Sequence, residues 1–149
     1  MARYQATVAS RRPAADTFGY LATFSNAAEW DPGVVSAEQL DPGPVRPGAR
    51  FRLVVPFLGR RLALTYEVVT LVAGREVVLA ATSLLLRATD RISVAPDGDG
   101  ATVSYEATVW LRGPLRLFDG LLQPGFRAVG ERAASGLAQA LSTHPVTRS

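Results

Sequence analysis

The residues from about 50 to 111 form a run of strand-like segments between two different helical patterns. A short helical pattern over residues 13–24 precedes this run, and a long one over residues 114–142 follows it. Antiparallel strands with one apolar face need a cover, and the long helix is the only predicted element large enough to supply it. Because a curved sheet around one helix leaves a hollow, this order of elements predicts a container for an apolar molecule.

The composition is that of one folded domain. The chain has 149 residues, of which 48% are hydrophobic and 19% charged, and this balance argues against disorder. No apolar stretch approaches the length of a membrane span, and the opening MARYQATVAS lacks the apolar core of a secretory signal. We therefore expect a single domain over residues 1–142, a frayed tail over 143–149 and, by default, a cytoplasmic protein.

Charge and composition exclude several classes of function. The formal net charge is +3, but the arginines are scattered, without the basic stripe and stacking aromatics of a nucleic-acid site. With no cysteine, a disulfide framework and a thiolate metal site are excluded. The single histidine, His144, lies in the tail, which argues against a metal site and a Ser-His-Asp triad. No phosphate-binding glycine loop is present, so we predict no cofactor.

The hairpin around residues 96–100 has a well-specified register. Its turn, PDGDG, is a strong reversal signal. Pairing Pro96 with Ala101 separates an apolar face from a face of complementary polar pairs, and a slip of one residue would mix the two. The inner pairs are Val94/Val103, Ile92/Tyr105, Asp90/Ala107, Ala88/Val109 and Leu86/Leu111, and the outer pairs are Ser93/Ser104, Arg91/Glu106, Thr89/Thr108 and Arg87/Trp110.

The strands upstream continue the same apolar face. Pairing Val55 with Leu62 sets inner pairs Phe51/Tyr66 and Leu53/Leu64 and an outer pair Arg50/Glu67; pairing Leu71 with Glu76 sets Val68/Leu79 and Tyr66/Ala81. Alternation predicts a first strand around residues 4–8, and another strand is predicted over residues 34–40. An apolar face this wide must be covered, or the protein would aggregate.

The last helical pattern has a matching apolar stripe with a break in it. The break is Pro124-Gly125, where proline removes a backbone donor, so we expect a kink or an end after Leu122. The part of the pattern before the break has bulky side chains, and the part after it is rich in Ala and Gly. We therefore expect the part before the break to stand away from the sheet and form the mouth of a cavity. The stripe consists of Phe118, Leu122, Phe126, Val129, Ala133, Leu137 and Leu141.

The order of elements resembles the START-like helix-grip superfamily. The likeness includes a short helix ending in NAAEWDPG (26–33), and three further stretches resemble the polyketide cyclase/dehydrase (SRPBCC) branch: PGARFR (47–52), DGDGATV (97–103) and LRGPL (111–115). The resemblance implies an α+β helix-grip fold: a curved seven-stranded antiparallel sheet wrapped around a long C-terminal helix, with two short helices after the first strand and an internal ligand cavity. It implies less about activity, because members of the branch are variously cyclases, lipid carriers and proteins of unassigned role.

Asp90 is the strongest candidate for a residue with a chemical role. In the predicted register it is the only carboxylate on the inner face of its hairpin, and it lies opposite the small Ala107. A buried, unpaired carboxylate costs several kcal/mol, so it must be paired, protonated or next to a wet cavity. It is either an acid/base or hydrogen-bonding group for a ligand, or a structural residue with a backbone or arginine partner.

Aromatic residues with polar atoms accompany Asp90. Tyr66 and Tyr105 face inward in the predicted register, and Tyr4 can do so from the first strand. Their hydroxyl groups would either orient a ligand or satisfy otherwise unpaired polar groups in the core. The resemblance places Trp30 near the cavity entrance; the other reading is core packing under the short helix.

Three hypotheses of function follow. The first is binding or carriage of a small hydrophobic molecule (a lipid, a quinone or a polyketide-like aromatic) by a monomer or homodimer. The second is a polyketide aromatase/cyclase that works by positioning its substrate, with Asp90, Tyr66 and Tyr105 as its groups. The third is docking to a membrane or a partner through Phe57, Leu58 and residues 115–122 with their flanking arginines. The predicted lining is Trp30, Phe51, Leu53, Leu64, Tyr66, Val68, Leu79, Asp90, Ile92, Tyr105, Ala107, Phe118, Leu122 and Phe126.

Overall fold

Seven strands form one antiparallel sheet in the computed structural model, which describes residues 1–142. The strands lie in the order β1-β7-β6-β5-β4-β3-β2, so the first strand closes against the last and all other neighbours are consecutive. The predicted seven-stranded sheet is confirmed, whereas the predicted tail, 143–149, and His144 lie outside the described residues. The strands are β1 (Ala2–Ser10), β2 (Ser36–Gln39), β3 (Arg50–Phe57), β4 (Arg60–Val72), β5 (Glu76–Thr82), β6 (Leu86–Asp97) and β7 (Gly100–Leu111).

Two short helices and one long helix complete the fold. Helix α1 (Ala14–Ala22) leads through a 3-10 turn (Phe24–Asn26) into α2 (Ala27–Trp30). After β7, a 3-10 segment (Gly113–Leu121) precedes the long helix α3 (Gln123–Ser142). The predicted break after Leu122 is confirmed, and Pro124 falls in the first turn of α3, where its missing N–H costs nothing.

The predicted strand register is confirmed for two hairpins and needs one correction in the third. The β3–β4 and β6–β7 pairs are those read from the sequence. In β4–β5, however, Leu71 pairs with Val77 rather than with Glu76, and an irregularity between Val68 and Thr70 restores the predicted Val68/Leu79 pair. Because this bulge absorbs the extra residue, the inner face stays apolar across the sheet.

The outer face forms different ion pairs from those predicted. Arg91 lies 3.5 Å from Glu76 on β5, and Glu106 lies 3.4 Å from Arg3 on β1. Each residue of the expected Arg91/Glu106 pair therefore binds a residue of its other neighbouring strand. Arg50 likewise binds Asp41, at 3.1 Å, instead of Glu67. A central strand offers each side chain partners on two strands, and the hairpin alone could not reveal the second one.

The long helix covers only part of the sheet. Helix α3 packs against β1 and α2, with Gly130 directly on the ring of Tyr4 and Gly136 directly on the carbonyl of Trp30. The side chain of Gln123 bonds the N–H and C=O of Arg3, at 2.9 and 2.8 Å, and so protects the edge of β1. Helix α1 covers β6 and β7, and the 3-10 turn covers β2 and β3, which corrects the expectation of a single covering helix.

The apolar stripe of the last helix is buried only in its second half. Gly130, Ala133, Leu137 and Leu141 are buried, whereas Val129 is exposed. Phe118 lies outside the helix on the 3-10 segment and is 56% exposed, which corrects its predicted place in the covering stripe. The cause is local: an Asp119 carboxylate oxygen accepts a 3.0 Å hydrogen bond from the N–H of Leu111 and folds the segment back over the end of β7.

Candidate functional site

A row of inward side chains runs across the middle of the sheet. The strand pairs place Tyr4, Ala107, Asp90, Leu79 and Val68 in line from β1 to β4. Asp90 is the acidic residue in this row, and its neighbours along the row are a small side chain and an apolar one. The predicted inward direction of Asp90 is therefore confirmed, and the inward direction of Tyr4 with it.

The predicted lining residues on the strands differ slightly in how completely they are buried. Phe51 and Leu79 are completely buried, but Asp90, Tyr66, Tyr105 and Ala107 keep 6–8% of their surface. These four are the most accessible of the predicted lining residues on the strands. Side chains in a close-packed core normally interdigitate without voids, so these residues are where unfilled space in the interior is to be sought.

The end of α2 brings two further polar groups to this region. The ring of Trp30 meets that of Tyr105 edge-to-face, with the centroids 5.8 Å apart. The Nε1 atom of Trp30 is buried and has no hydrogen-bond partner among the described residues. The next residue, Asp31, accepts a 2.8 Å hydrogen bond at Oδ1 from the N–H of Gly33, which turns the chain out of the helix.

Burial raises the pKa of both carboxyl groups, Asp90 and Asp31. Burial and, to a smaller extent, the negative charge of Asp31 raise the pKa of Asp90, a hydrogen bond with Tyr105 lowers it, and the resulting pKa is about 7. Burial also raises the pKa of Asp31, although the hydrogen bond from the N–H of Gly33 and the positive charge of Arg132 both act to lower it. At neutral pH, Asp90 is therefore divided between its protonated and ionised forms, and it can donate or accept a hydrogen bond.

The two inner tyrosines stay protonated. Burial raises the pKa of both Tyr66 and Tyr105 well above the ordinary value, and the charges of Asp90 and Asp31 act in the same direction. Their hydroxyl groups are therefore available as hydrogen-bond donors throughout the physiological range. Together with the indole N–H of Trp30, they give this interior several donors beside two carboxyl groups.

An aromatic wall adjoins the polar groups. Phe24, in the 3-10 turn, packs edge-to-face against Tyr66 and Phe51, with ring centroids 5.2 and 6.2 Å apart. This residue was missed in the sequence, where it marked only the end of the first helical pattern. Its apolar character and its place just before α2 were the available signals.

The predicted lining residues fall into three groups. Trp30 and the ten strand residues from Phe51 to Ala107 are buried. Leu122 and Phe126 are half-buried around the start of α3, and Phe118 is exposed on the 3-10 segment. The role of these residues in ligand binding stays a prediction. Asp31 was not predicted: the sequence Trp-Asp-Pro-Gly indicated a turn, and nothing in it showed that the carboxyl group lies close enough to influence Asp90.

A separate groove lies outside the sheet, between α2 and α3. Its volume is about 600 Å³, and Glu29, Trp30, Arg132 and Gln139 are among the residues that line it. Among residues 1–142, no three His, Cys, Asp or Glu side chains come together as a metal site requires. None of the helices in the same range is long and apolar enough to cross a membrane.

Comparison with known proteins agrees with the order of the elements. The family model for polyketide cyclase/dehydrase and lipid transport proteins matches residues 1–142. The chain belongs to this family. A search of curated protein sequences finds no match.

Solved structures of this family's fold superimpose over nearly the whole chain. A START superfamily protein from Mycobacterium smegmatis is 17% identical, with 95% of this chain and 97% of that chain covered and a TM-score of 0.73. A Thermus thermophilus protein is also 17% identical, over 94% and 95% of the chains, with a TM-score of 0.73. The Zhui aromatase/cyclase from Streptomyces sp. R1128 is 20% identical, over 93% and 90%, with a TM-score of 0.68. At these identities the likeness establishes the helix-grip fold of this family member.

Proposed function

We propose that this family member binds a small, largely apolar molecule that carries an uncharged polar group, in the interior between the sheet and its helices. The observation that carries the proposal is a cluster of buried polar groups in an otherwise apolar interior: Asp90, Tyr66, Tyr105 and the unpartnered Nε1 of Trp30. A buried donor without an acceptor costs about 1–3 kcal/mol, and a carbonyl or hydroxyl oxygen of a ligand would remove that cost.

The charges near the cluster favour an uncharged ligand. Asp31 and Asp90 both lie close enough to raise the pKa of Tyr105, and among residues 1–142 the positive charge that acts on Asp31 is that of the exposed Arg132. A carboxylate ligand, such as a fatty acid, would add a third negative charge to a poorly solvated region. A phenol, a quinone or a ketone would instead use the tyrosine and indole donors. The proposal therefore narrows the predicted lipid, quinone or aromatic ligand to one with a neutral polar end.

The test compares two probes that share a ring system and differ in charge. Titration calorimetry at pH 8 with 2-naphthol and with 2-naphthoate should show saturable binding of the phenol and at least about tenfold weaker binding of the anion, which corresponds to about 1.4 kcal/mol. Asp90→Asn removes one of the opposing charges and should narrow that difference. Equal affinities for the two probes, or no saturable binding of 2-naphthol, would overturn the proposal.

The location of the probe can be checked with the two tryptophans. Trp110 lies on the outer face under the guanidinium of Arg87, 4.5 Å from the ring centroid, whereas Trp30 is buried. In a Trp110→Phe variant, a naphthoquinone such as menadione should quench the fluorescence of Trp30 in a saturable way. The matched control is Trp30→Phe, in which the remaining Trp110 should show only unsaturable, collisional quenching.

A second candidate function is an aromatase/cyclase. It is favoured by a buried carboxyl group whose pKa of about 7 allows proton exchange, next to a tyrosine that hydrogen-bonds to it. In such a reaction Asp90 would take a proton from a carbon between two ketones, the carbanion would attack a distant carbonyl carbon, and the proton would return to the new alkoxide oxygen. The structural likeness to the Zhui aromatase/cyclase is consistent with this chemistry.

The enzyme hypothesis is tested by the same residues. With a synthetic poly-β-ketone as substrate, Asp90→Asn should lower kcat at least about a hundredfold if the carboxyl group is the base. Tyr66→Phe and Tyr105→Phe should raise KM or lower kcat by smaller factors. Unchanged turnover in all three variants would exclude these side chains as the catalytic groups, and no turnover by the unmodified protein would leave binding without catalysis as the function.

A further inference from the structure

One end of the sheet collects exposed apolar side chains from four separate parts of the chain. The antiparallel order brings the β3–β4 turn, the β5–β6 turn, the start of β1 and the 3-10 segment after β7 to the same end. The backbone N–H of Arg112 donates to Leu85 O at 2.8 Å, which joins the 3-10 segment to the β5–β6 turn. We call this surface the apolar end; its residues are Met1, Leu58, Leu84, Leu85, Leu117, Phe118 and Leu121.

These side chains are far more exposed than folding would require. Leu84 is 90% exposed, Leu117 86%, Leu121 76% and Leu58 70%. At the opposite end of the sheet the hairpin turns consist of small and charged residues, Ala73-Gly74-Arg75 and Gly98-Asp99, and the large apolar residues there are less exposed, Val72 at 47% and Leu40 at 36%. Clustered exposed leucines are costly in water and usually mark a surface that something else covers.

The backbone at Leu58 supports a role outside folding. Leu58 and Gly59 form a two-residue hairpin turn with φ values of +53° and +77°. Positive φ at both positions is typical of a type I′ turn, in which asparagine precedes glycine in the favourable sequence. A leucine there is strained by its Cβ and, at 70% exposure, packs little of its surface against the protein. The side chain therefore serves something other than the turn.

Arginines surround the apolar end. Arg60, Arg61, Arg112 and Arg116 are exposed, and none of them forms an ion pair with another described residue. The acidic residue of the 3-10 segment, Asp119, is neutralised by the amino group of Met1. The guanidinium of Arg112 is held by a 2.6 Å hydrogen bond to Ser83 O and stays at the level of the leucines. The surface is thus apolar at its tips and positively charged at its rim.

We propose that the apolar end docks on an anionic membrane surface, with the leucine tips among the acyl chains and the four arginines at the level of the lipid headgroups. The charge complementarity selects an anionic partner, and separate leucine tips from four segments enter a fluid lipid layer without needing a matching rigid shape. The inference stands on exposed residues and does not depend on the proposed ligand or on its site.

Vesicle co-sedimentation tests the proposal with the whole chain. The protein should sediment with vesicles of phosphatidylcholine and phosphatidylserine, much less with phosphatidylcholine alone, and less at high salt. Arg60→Gln with Arg61→Gln should lower partitioning by about fivefold per arginine, and Leu84→Asp with Leu117→Asp should abolish it. The matched controls lie at the other end of the sheet: Arg46→Gln with Arg75→Gln, and Val72→Asp, should partition like the unmodified protein.

Leu58→Asn separates binding from folding. Asparagine suits the positive φ of this turn, so the melting temperature should stay the same or rise while vesicle binding falls. No sedimentation with phosphatidylserine vesicles at low salt, or equal losses in the control variants, would overturn the proposal. If ultracentrifugation instead showed a dimer that Leu84→Asp with Leu117→Asp converts to a monomer, without any vesicle binding, the apolar end would be a self-association surface and the proposal would be wrong.

Discussion

At the scale of single residues, Asp90 carries an energetic cost that depends on pH. Its carboxyl group has a pKa of about 7 in the folded protein against an ordinary 3.8, because burial and the charge of Asp31 disfavour the ionised form. The folded state therefore binds the proton more tightly than the unfolded state. Stability should be highest below pH 4 with respect to this group, should fall as the pH rises to about 7, and should level off above it.

Asp90→Asn should remove that pH dependence. The variant keeps the shape of the side chain without the charge, so at pH 8 it should be more stable than the unmodified protein by up to about 4 kcal/mol, and at pH 4 by little or nothing. Urea unfolding at the two pH values measures the difference. The exposed Asp99→Asn is the control and should give no such trend; a difference that does not change with pH would contradict the assigned pKa.

The position of a single side chain was predictable only where the alternation of apolar and polar residues along a strand determined its face. Asp90 was predicted because strict alternation along β6 determines which face it occupies. Asp31 was missed because its place depends on how α2 packs against α3, where Gly136 lies directly on the carbonyl of Trp30. Periodicity describes one element at a time, and a contact between a turn and a distant helix leaves no periodic trace.

The loop residue Asp41 shows the same limit for charges. It binds Arg50 through both carboxylate oxygens at 3.1 Å and also accepts a 2.8 Å hydrogen bond from the N–H of Arg50. Asp41→Asn should therefore lower the melting temperature more than Glu67→Gln, although Glu67 was the partner predicted from strand pairing. Thermal unfolding of the two variants side by side, at low and high salt, checks the order; the reverse order would contradict the observed pairing.

At the scale of elements, the position of α3 depends on two glycines. A Cβ atom at Gly136 would collide with the carbonyl oxygen of Trp30, and one at Gly130 would collide with the ring of Tyr4. The small residues of the second half of α3 therefore set the distance between this helix, α2 and β1. The sequence indicated close approach through its Ala and Gly content, but it could not show that β1 and α2 are the partners.

Two alanine substitutions in α3 should have opposite effects. Gly136→Ala should destabilise the fold by about 1–3 kcal/mol, because backbone must move to admit the methyl group. Gly125→Ala, which meets nothing within 4 Å, should stabilise it by up to about 1 kcal/mol through helix propensity. Denaturant unfolding of both variants measures this, and equal effects at the two positions would show that α3 does not approach α2 as closely as described.

Strand register was the most predictable element-scale property. The β3–β4 and β6–β7 pairs followed from the alternation of apolar and polar residues and from their turns. The β4–β5 hairpin departed near its turn because a bulge lies between Val68 and Thr70. A bulge changes the pairing without changing the composition of either strand, so the pattern could not locate it.

At the scale of the whole molecule, the question is whether the interior around Asp90 is loosely or closely packed. Ala107 and Ala88 both face inward on neighbouring strands, but Ala107 keeps 6% of its surface beside Asp90 and Ala88 keeps 2%. The fold alone does not decide this, because the same helix-grip architecture can be filled by its own side chains or left hollow for a ligand.

Leucine substitutions at these two alanines should distinguish the cases without any ligand. If the interior near Asp90 is hollow, Ala107→Leu should be neutral or stabilising, because the added carbon atoms gain apolar contacts in unfilled space. Ala88→Leu should cost about 1–3 kcal/mol through overpacking in either case. Ala107→Leu should also abolish the binding of 2-naphthol, and equal destabilisation by both variants would show a closely packed core with no room for a guest molecule.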